Sequence, residues 1–232
     1  MTNSATTNRN ALVTLAIGDE AQDLLSLSGP RFAAYAQRQG YDYIVIDERK
    51  IRYRLQWRKS RVNLHLEKFQ MRSFLDHYER ILYLDADILL NEGCPDFCAM
   101  VPASELGVVT DPSCEESWKR EEEMEKMQKK FGLLPSPIPP YFNAGVLVLS
   151  QAHRELMSFD AKRLLPGRWP DQTYLNYFSA KWALPRCVMD PIANFLPGHP
   201  GWNDPEMRRK AWAVHFAGPQ AKPAMRAMAA ER

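Results

Sequence analysis

No stretch of this 232-residue chain approaches the ~20 consecutive apolar residues of a membrane-spanning helix. The opening residues, Met1 to Asn10, are polar and carry no signal-peptide apolar region, so a cytoplasmic protein is expected. Cysteine is scarce. Cys94, Cys98, Cys114 and Cys187 contain no Cys-x-x-Cys pair and read as free thiols. Without a second close pair, Cys94 and Cys98 carry little weight as zinc ligands. Neither sign of charge is in excess, and a balance of +2 gives no argument for nucleic acid. No internal repeat is evident. What remains is ordinary: 45% hydrophobic and 25% charged residues, in a length that suits one α/β domain with a sizeable core.

What the chain does have is an apolar run that ends in acid, Ile81-Leu82-Tyr83-Leu84-Asp85-Ala86-Asp87-Ile88-Leu89-Leu90. Among 13 aspartates a bare Asp-x-Asp pattern is close to a chance event, so the setting decides. On an extended backbone Asp85 and Asp87 point to one face. Two carboxylates at the end of a buried strand repel each other and lose hydration unless a cation or donors compensate. One hard divalent cation shared between them, keeping waters and taking phosphate oxygens, meets that need. The expected ligand is a metal-bound nucleotide diphosphate.

Around this strand the chain reads as an α/β protein. Ala11 to Ile17 is a near-continuous apolar strand, as in a parallel sheet buried on both faces, stopped by Gly18-Asp19. Ser28-Gly29-Pro30 resembles a helix start, with Gly40 as the C-terminal cap, and Tyr43 to Ile46 is the next strand. From Arg49 to Arg61 the charge is nearly all positive. Two readings stand there: a solvated loop, or a patch for phosphate, an anionic acceptor or a peripheral membrane contact. Val62 to Tyr78 reads as an amphipathic helix whose stripe, Leu64, Lys68, Met71, Leu75 and Tyr78, is interrupted by Lys68. That lysine either snorkels to solvent or is aimed at phosphate or sugar.

Further along, Gly107 to Thr110 is a short strand, and Glu115 to Lys130 an exposed helix with ion-pair spacing. The proline-rich Pro135 to Pro140 excludes regular helix or central strand, so about 113–140 reads as a surface insertion. Tyr141 to Ser150 resumes the core, where Ala144-Gly145 allow close approach of a ligand or backbone. Ser150 is a candidate cap for a helix from Gln151 to Leu165, and Asp171 for one through Thr173, Leu175 and Tyr177. Cys187 to Met189 and Ala213 to Phe216 are strand-like. A lone histidine on a strand is usually structural, but His215 precedes Gly218 and Lys222 in a chain with paired aspartates, which makes it a ligand candidate.

Four stretches occur in one family's order: Leu82 to Asp87, Phe142 to Val146, Asp171-Gln172 with Leu175-Asn176, and His215-Phe216-Ala217-Gly218 with Lys222-Pro223. The chain from about Leu12 to Pro223 resembles the retaining glycosyltransferases of the GT-A fold, in the group containing glycogenin and the bacterial lipooligosaccharide α-galactosyltransferases. Ala34 to Asp42 and the His-Phe-Ala-Gly stretch also resemble the fungal and plant α-galactosyl-, mannosyl- and xylosyltransferases. The resemblance implies a single GT-A domain over 1–232 and a Rossmann-like, mostly parallel sheet with helices on both faces. Backbone freedom at Gly198, Gly201 and Gly218 leads us to expect a lid and tail at about 200–232. The resemblance also implies Mn²⁺ or Mg²⁺ on Asp85, Asp87 and His215. The donor, a nucleotide-diphosphate sugar with UDP-sugar first, would meet Ala16, Ile17 and Asp19 through its base. Lys68, Asp85, Asn143, Ala144, Gly145, Gly218 and Lys222 would meet its sugar and diphosphate. Asp171 and Gln172 would stand at the reacting sugar. The acceptor hydroxyl, on a glycan, lipid-linked or protein partner, is not named.

The chain departs from the pattern in three places: one extra residue between His215 and Lys222, Ala224 where an aromatic is usual, and no Thr-Asn pair after the first strand. Rival readings are weaker. A haloacid-dehalogenase-type phosphatase places its aspartates after the first core strand and has a late acidic pair. A sugar-nucleotide pyrophosphorylase needs a Gly-rich N-terminal loop. A catalytically inactive GT-A domain binding nucleotide or glycan would not need every metal-site residue. The retaining reading requires Asp87 and His215, remote in sequence, to meet.

Overall fold

The computed structural model describes residues 10–51, 64–112 and 117–231. In chain order, β1 (Asn10–Leu15) passes through Gly18 into α1 (Asp19–Gln39), followed by β2 (Asp42–Ile46). A 3-10 segment, Leu64–Gln70, runs into α2 (Met71–Phe74), β3 (Arg80–Asp85) and β4 (Ile88–Leu90). Next come α3 (Phe97–Met100), β5 (Leu106–Thr110), α4 (Ser117–Phe131), β6 (Phe142–Ser150) and α5 (Pro170–Lys181). The chain closes with β7 (Arg186–Val188), α6 (Pro205–Lys210), β8 (Ala213–His215) and α7 (Lys222–Ala230).

Among the described residues one sheet has the order β2-β1-β3-β6-β5-β7, and β4 pairs with β8 in a second. In the large sheet β6 alone runs against its neighbours, so the sheet is mostly parallel. Its strands alternate between two cores, as a period of two demands. Ala11, Val13, Ile81, Tyr83, Leu147 and Leu149 face one, with the 3-10 segment and α5. Leu12, Leu82, Leu84, Val146 and Val148 face the other, with α1 and α3. Burial on both faces explains why these strands read as unbroken apolar runs.

Several helical expectations are corrected. The first helix does not start at Ser28. It runs from Asp19 through Pro30 to Gly40, which adopts φ 67° and receives the left-handed cap expected of it. Ser28 is buried, and its hydroxyl donates to the carbonyls of Leu24 and, at 2.8 Å, Ala86, tying α1 to the turn that separates Asp85 from Asp87. The 64–78 stretch is not one amphipathic helix. Residues 66–71 are all buried, and Glu67 accepts from the backbone N–H groups of Lys50 and Ile51, so polar positions are held inward. Lys68 does not snorkel: it is 2% exposed. Ser150 caps only a single 3-10 turn, Gln151–His153, in a reciprocal capping box with His153. Asp171 is not the N-cap of α5. Trp169 holds that position and Pro170 follows at N1, which frees the Asp171 carboxylate for another partner.

Cys94 and Cys98 are buried free thiols, pushed up to about 12 and about 11 by burial. They do not belong to any metal-competent cluster among the described residues. Cys114 and most of the basic stretch from Arg49 to Arg61 lie outside the described residues.

The capping box titrates. Burial, and then the positive charge of Arg80, lower the His153 pKa from 6.5 to about 4. The unfolded chain therefore binds this proton at higher pH than the folded one. His153 contributes up to ~3 kcal/mol, complete above pH 6.5 and lost as pH falls toward 4. Urea midpoints should fall across that window. In His153→Gln, which keeps a side-chain acceptor but cannot titrate, this part of the fall should vanish.

Candidate active site

The strand ends converge on one cavity of about 420 Å³. Asp85 is the last residue of β3, on the same face as Tyr83, whose hydroxyl donates to it at 2.6 Å. Asp87 does not share that face through an extended backbone. Ala86 and Asp87 form a turn into β4, and the turn brings the second carboxylate round. From the far end of the chain, β8 pairs with β4 so that His215 stands opposite Ile88.

His215 is 3% exposed. Its Nε2 lies 3.1 Å from Asp87 and 4.0 Å from Asp85, and its Nδ1 lies 3.0 Å from the Asn194 side-chain oxygen. One ligand atom from each of Asp85, Asp87 and His215 can be chosen so that all lie within 4.8 Å of one another. Lys222, 135 positions from Asp87, donates to it at 2.5 Å and to the Phe216 carbonyl at 2.9 Å. Burial would raise the Asp87 pKa, but His215 and Lys222 outweigh it and hold the group well below the usual carboxylate range. Burial would lower the His215 pKa, but Asp87 and Asp85 raise it above the ordinary histidine value.

Gly145 makes this packing possible. A Cβ there would stand 2.3 Å from His215 Cε1 and 2.7 Å from Nδ1. The close approach expected at Ala144-Gly145 is thus made by a side chain of the same protein. Asn143 turns its oxygen to the Gly145 N–H, and the Asn194 amide donates to it, so one network orients both β6 and the imidazole.

The opposite wall is built on Lys68. Its ammonium donates to the Ala144 carbonyl at 2.9 Å and to Asp171 at 3.1 Å, stands 3.5 Å from Asp85, and lies over the Tyr83 ring. Burial would lower its pKa, but Asp85 and Asp171 raise it. The same exchange lowers Asp171, against its own burial. Gln172 accepts from the Ala144 N–H and reaches Asp111 at 3.4 Å. Gly218, at φ 84°, lines the cavity and opens the turn that leads to Lys222.

Not every expected residue is there. Ala16, Ile17 and Asp19 stand beyond the end of β1, whose Leu15 is level with Asp85, but they do not line this cavity, and neither do Ala144, Gly145 and Lys222, which stand behind residues that do. Asp19 is exposed in the first turn of α1. Conversely, Asp111, Arg120, Arg168 and Trp169 line the cavity and were not singled out from the sequence. Asp111 could have been: it follows the β5 run just as Asp85 ends the β3 run. Asn194 has no comparable signal, because only the tertiary fold brings it to His215.

Comparisons with known proteins agree with this architecture. A search among curated proteins finds no match to the sequence. Solved structures do match. A glycosyltransferase involved in glycosylation of the major capsid of the virus PBCV-1 aligns at TM-score 0.58 and 14% identity, covering 94% of this chain and 98% of that one. The galactosyltransferase LgtC, in complex with donor and acceptor sugar analogues, aligns at TM-score 0.58 and 17% identity, covering 94% and 95%. An active-site mutant of LgtC aligns at 0.55 and 16%, covering 90% and 88%. At these identities the likeness establishes a shared fold. The model of glycosyl transferase family 8 matches residues 33–162, more than half the chain, including Asp85, Asp87 and the Asn143–Gly145 strand start. The chain belongs to glycosyl transferase family 8 and is a glycosyltransferase of the GT-A fold.

Proposed function

We propose that the protein transfers a sugar from a UDP-sugar to an acceptor hydroxyl with retention of anomeric configuration, using Mn²⁺ or Mg²⁺. The observation that carries this reading is the cluster of Asp85, Asp87 and His215 with Lys222 beside it. Two carboxylate oxygens and an imidazole nitrogen suit Mn²⁺ well and Mg²⁺ acceptably. Asn194 on the far ring nitrogen fixes the imidazole, as partners of metal-binding histidines do. Asp85, Asp87 and His215 would hold the ion, which supplies charge neutralisation on the departing diphosphate.

The chain's own groups do the rest. In transfer, the acceptor oxygen bonds the anomeric carbon, the bond from that carbon to the diphosphate breaks, and its electron pair leaves with the diphosphate. The hydroxyl proton passes to the released diphosphate oxygen. Lys222 would move from Asp87 to the diphosphate and meet the developing charge there. Gly218, with φ 84°, gives the turn before it the freedom to do so. Lys68 would keep Asp85 and Asp171 ionised and directed at the sugar. Asn143 would line the sugar pocket, and Asp171 and Gln172 would face the cationic sugar centre. The LgtC complex with donor and acceptor analogues supports two-substrate binding on this fold.

The first test is a screen of UDP-sugars for hydrolysis with Mn²⁺ and no acceptor. A hit should disappear in EDTA, and Asp87→Asn should lower turnover ~10³-fold or more while the thermal midpoint stays close to wild type. Full turnover in excess EDTA would remove the metal from the reading. Gly145→Ala probes His215 without touching a ligand. By crowding the ring it should weaken Mn²⁺ at least ~10-fold in an EPR titration with UDP present, and an unchanged titration would take His215 out of the ligand set. A third measurement concerns the C-terminal segment. The expectation of a lid over about 200–232 narrows, because β8 is buried and paired with β4. Hydrogen exchange should slow at Ala217 to Met225 only when UDP and Mn²⁺ are both bound. Equal exchange at saturation would mean that this turn is a fixed wall.

A further inference from the structure

A second cavity, of about 460 Å³, lies beneath α4, between that helix and the 138–141 segment. Asp111 and Arg120 line both this cavity and the first. Their ion pair, at 2.8 Å, is part of the wall the two cavities share. We propose that the cavity beneath α4 is the acceptor subsite and that it takes a neutral sugar, a proposal that rests on the transfer reaction above.

Three observations carry it. The first is reach. Gln172 contacts the Asp111 carboxylate at 3.4 Å and the Ala144 N–H at 2.9 Å, so a single side chain links the sugar-lining strand to the shared wall. A substrate in the second cavity is therefore next to the first.

The second is an unmet acceptor. Asp111 is 8% exposed, and one of its oxygens is engaged by Arg120 and Gln172. The other, Oδ1, is buried with no hydrogen-bond partner among the described residues. Folded proteins rarely leave such an atom without a use. A sugar hydroxyl directed at Asp111 Oδ1, with the Arg120 pair on Oδ2 left intact, supplies the missing donor. The third is the character of the lining. Tyr141, Ile138 and Met124 offer apolar surface for the C–H face of a sugar ring, and Gln128 offers an amide to its hydroxyls. The charges are Asp111, Glu121 and Glu125 against Arg120, which is already paired, so a carboxylate- or phosphate-bearing sugar is repelled.

The test uses the full-length protein loaded with UDP and Mn²⁺. Saturation-transfer NMR is recorded with methyl β-galactopyranoside, methyl α-glucopyranoside, methyl α-mannopyranoside and methyl β-glucuronide. At least one neutral glycoside should give signal and the glucuronide none. Gln128→Trp and Ile138→Trp fill the cavity from opposite walls. Each should weaken the neutral glycoside at least tenfold while calorimetric affinity for UDP stays within twofold, which also shows that the variant is folded. Silence from all three neutral glycosides, equal binding of the glucuronide, or wild-type glycoside binding in both filled variants would overturn the proposal. A wild-type protein that does not bind UDP with Mn²⁺ would remove the transfer reading beneath it, a separate and distinguishable failure.

Discussion

Four carboxylates, from Asp85, Asp87, Asp111 and Asp171, line one cavity, and their mutual repulsion is the constraint the rest of the structure answers. Two unit charges 4 Å apart interact by about 4 kcal/mol where the effective dielectric is near 20. A few such terms left standing would rival the whole net stability of a domain, about 5–15 kcal/mol. Each carboxylate therefore has a cation. Lys68 serves Asp85 and Asp171, Lys222 and His215 serve Asp87, and Arg120 serves Asp111. The repulsion expected between the paired aspartates is met within the chain, by residues brought from well before and well after them.

That arrangement explains the topology's one reversal. The parallel strands β3 and β5 deliver their C-terminal ends to the cavity, which is where open α/β sheets bind ligands. β6 runs the other way and delivers its beginning, so Ala144 arrives between β3 and β5 with its backbone N–H and C=O open to side chains. Lys68 takes the Ala144 carbonyl and Gln172 the Ala144 N–H. A polar wall is thereby built from main chain at the point where carboxylates are already crowded.

The parts of this that were legible in the sequence are those governed by local rules. Strands buried on both faces had to be apolar throughout, so β1, β3 and β6 were plain, and Gly40 was readable because a left-handed cap favours glycine. What was hidden depends on distant partners. Pro30 argued for a helix start, yet α1 passes through it, held near that point by the Ser28 hydroxyl on Ala86. The stripe carrying Lys68 had helical spacing, but Glu67 and Gln70 are bound to the loop after β2, which local periodicity cannot show. Among the site residues, His215 and Lys222 stood out through their order in the chain. Asp111 was missed although it carries the same strand-end signature as Asp85, and Asn194 could emerge only from the fold.

Gly145 and His215 occupy one space: the imidazole stands where a side chain at 145 would begin. Their evolutionary fates are therefore joined. A descendant that kept the histidine could accept nothing larger than hydrogen at 145. One that lost it would be released from glycine at once and could fill the gap from the strand instead. Among relatives sharing this geometry, the two positions should drift together, and a side chain at the glycine position would mark a lineage that has given up its imidazole.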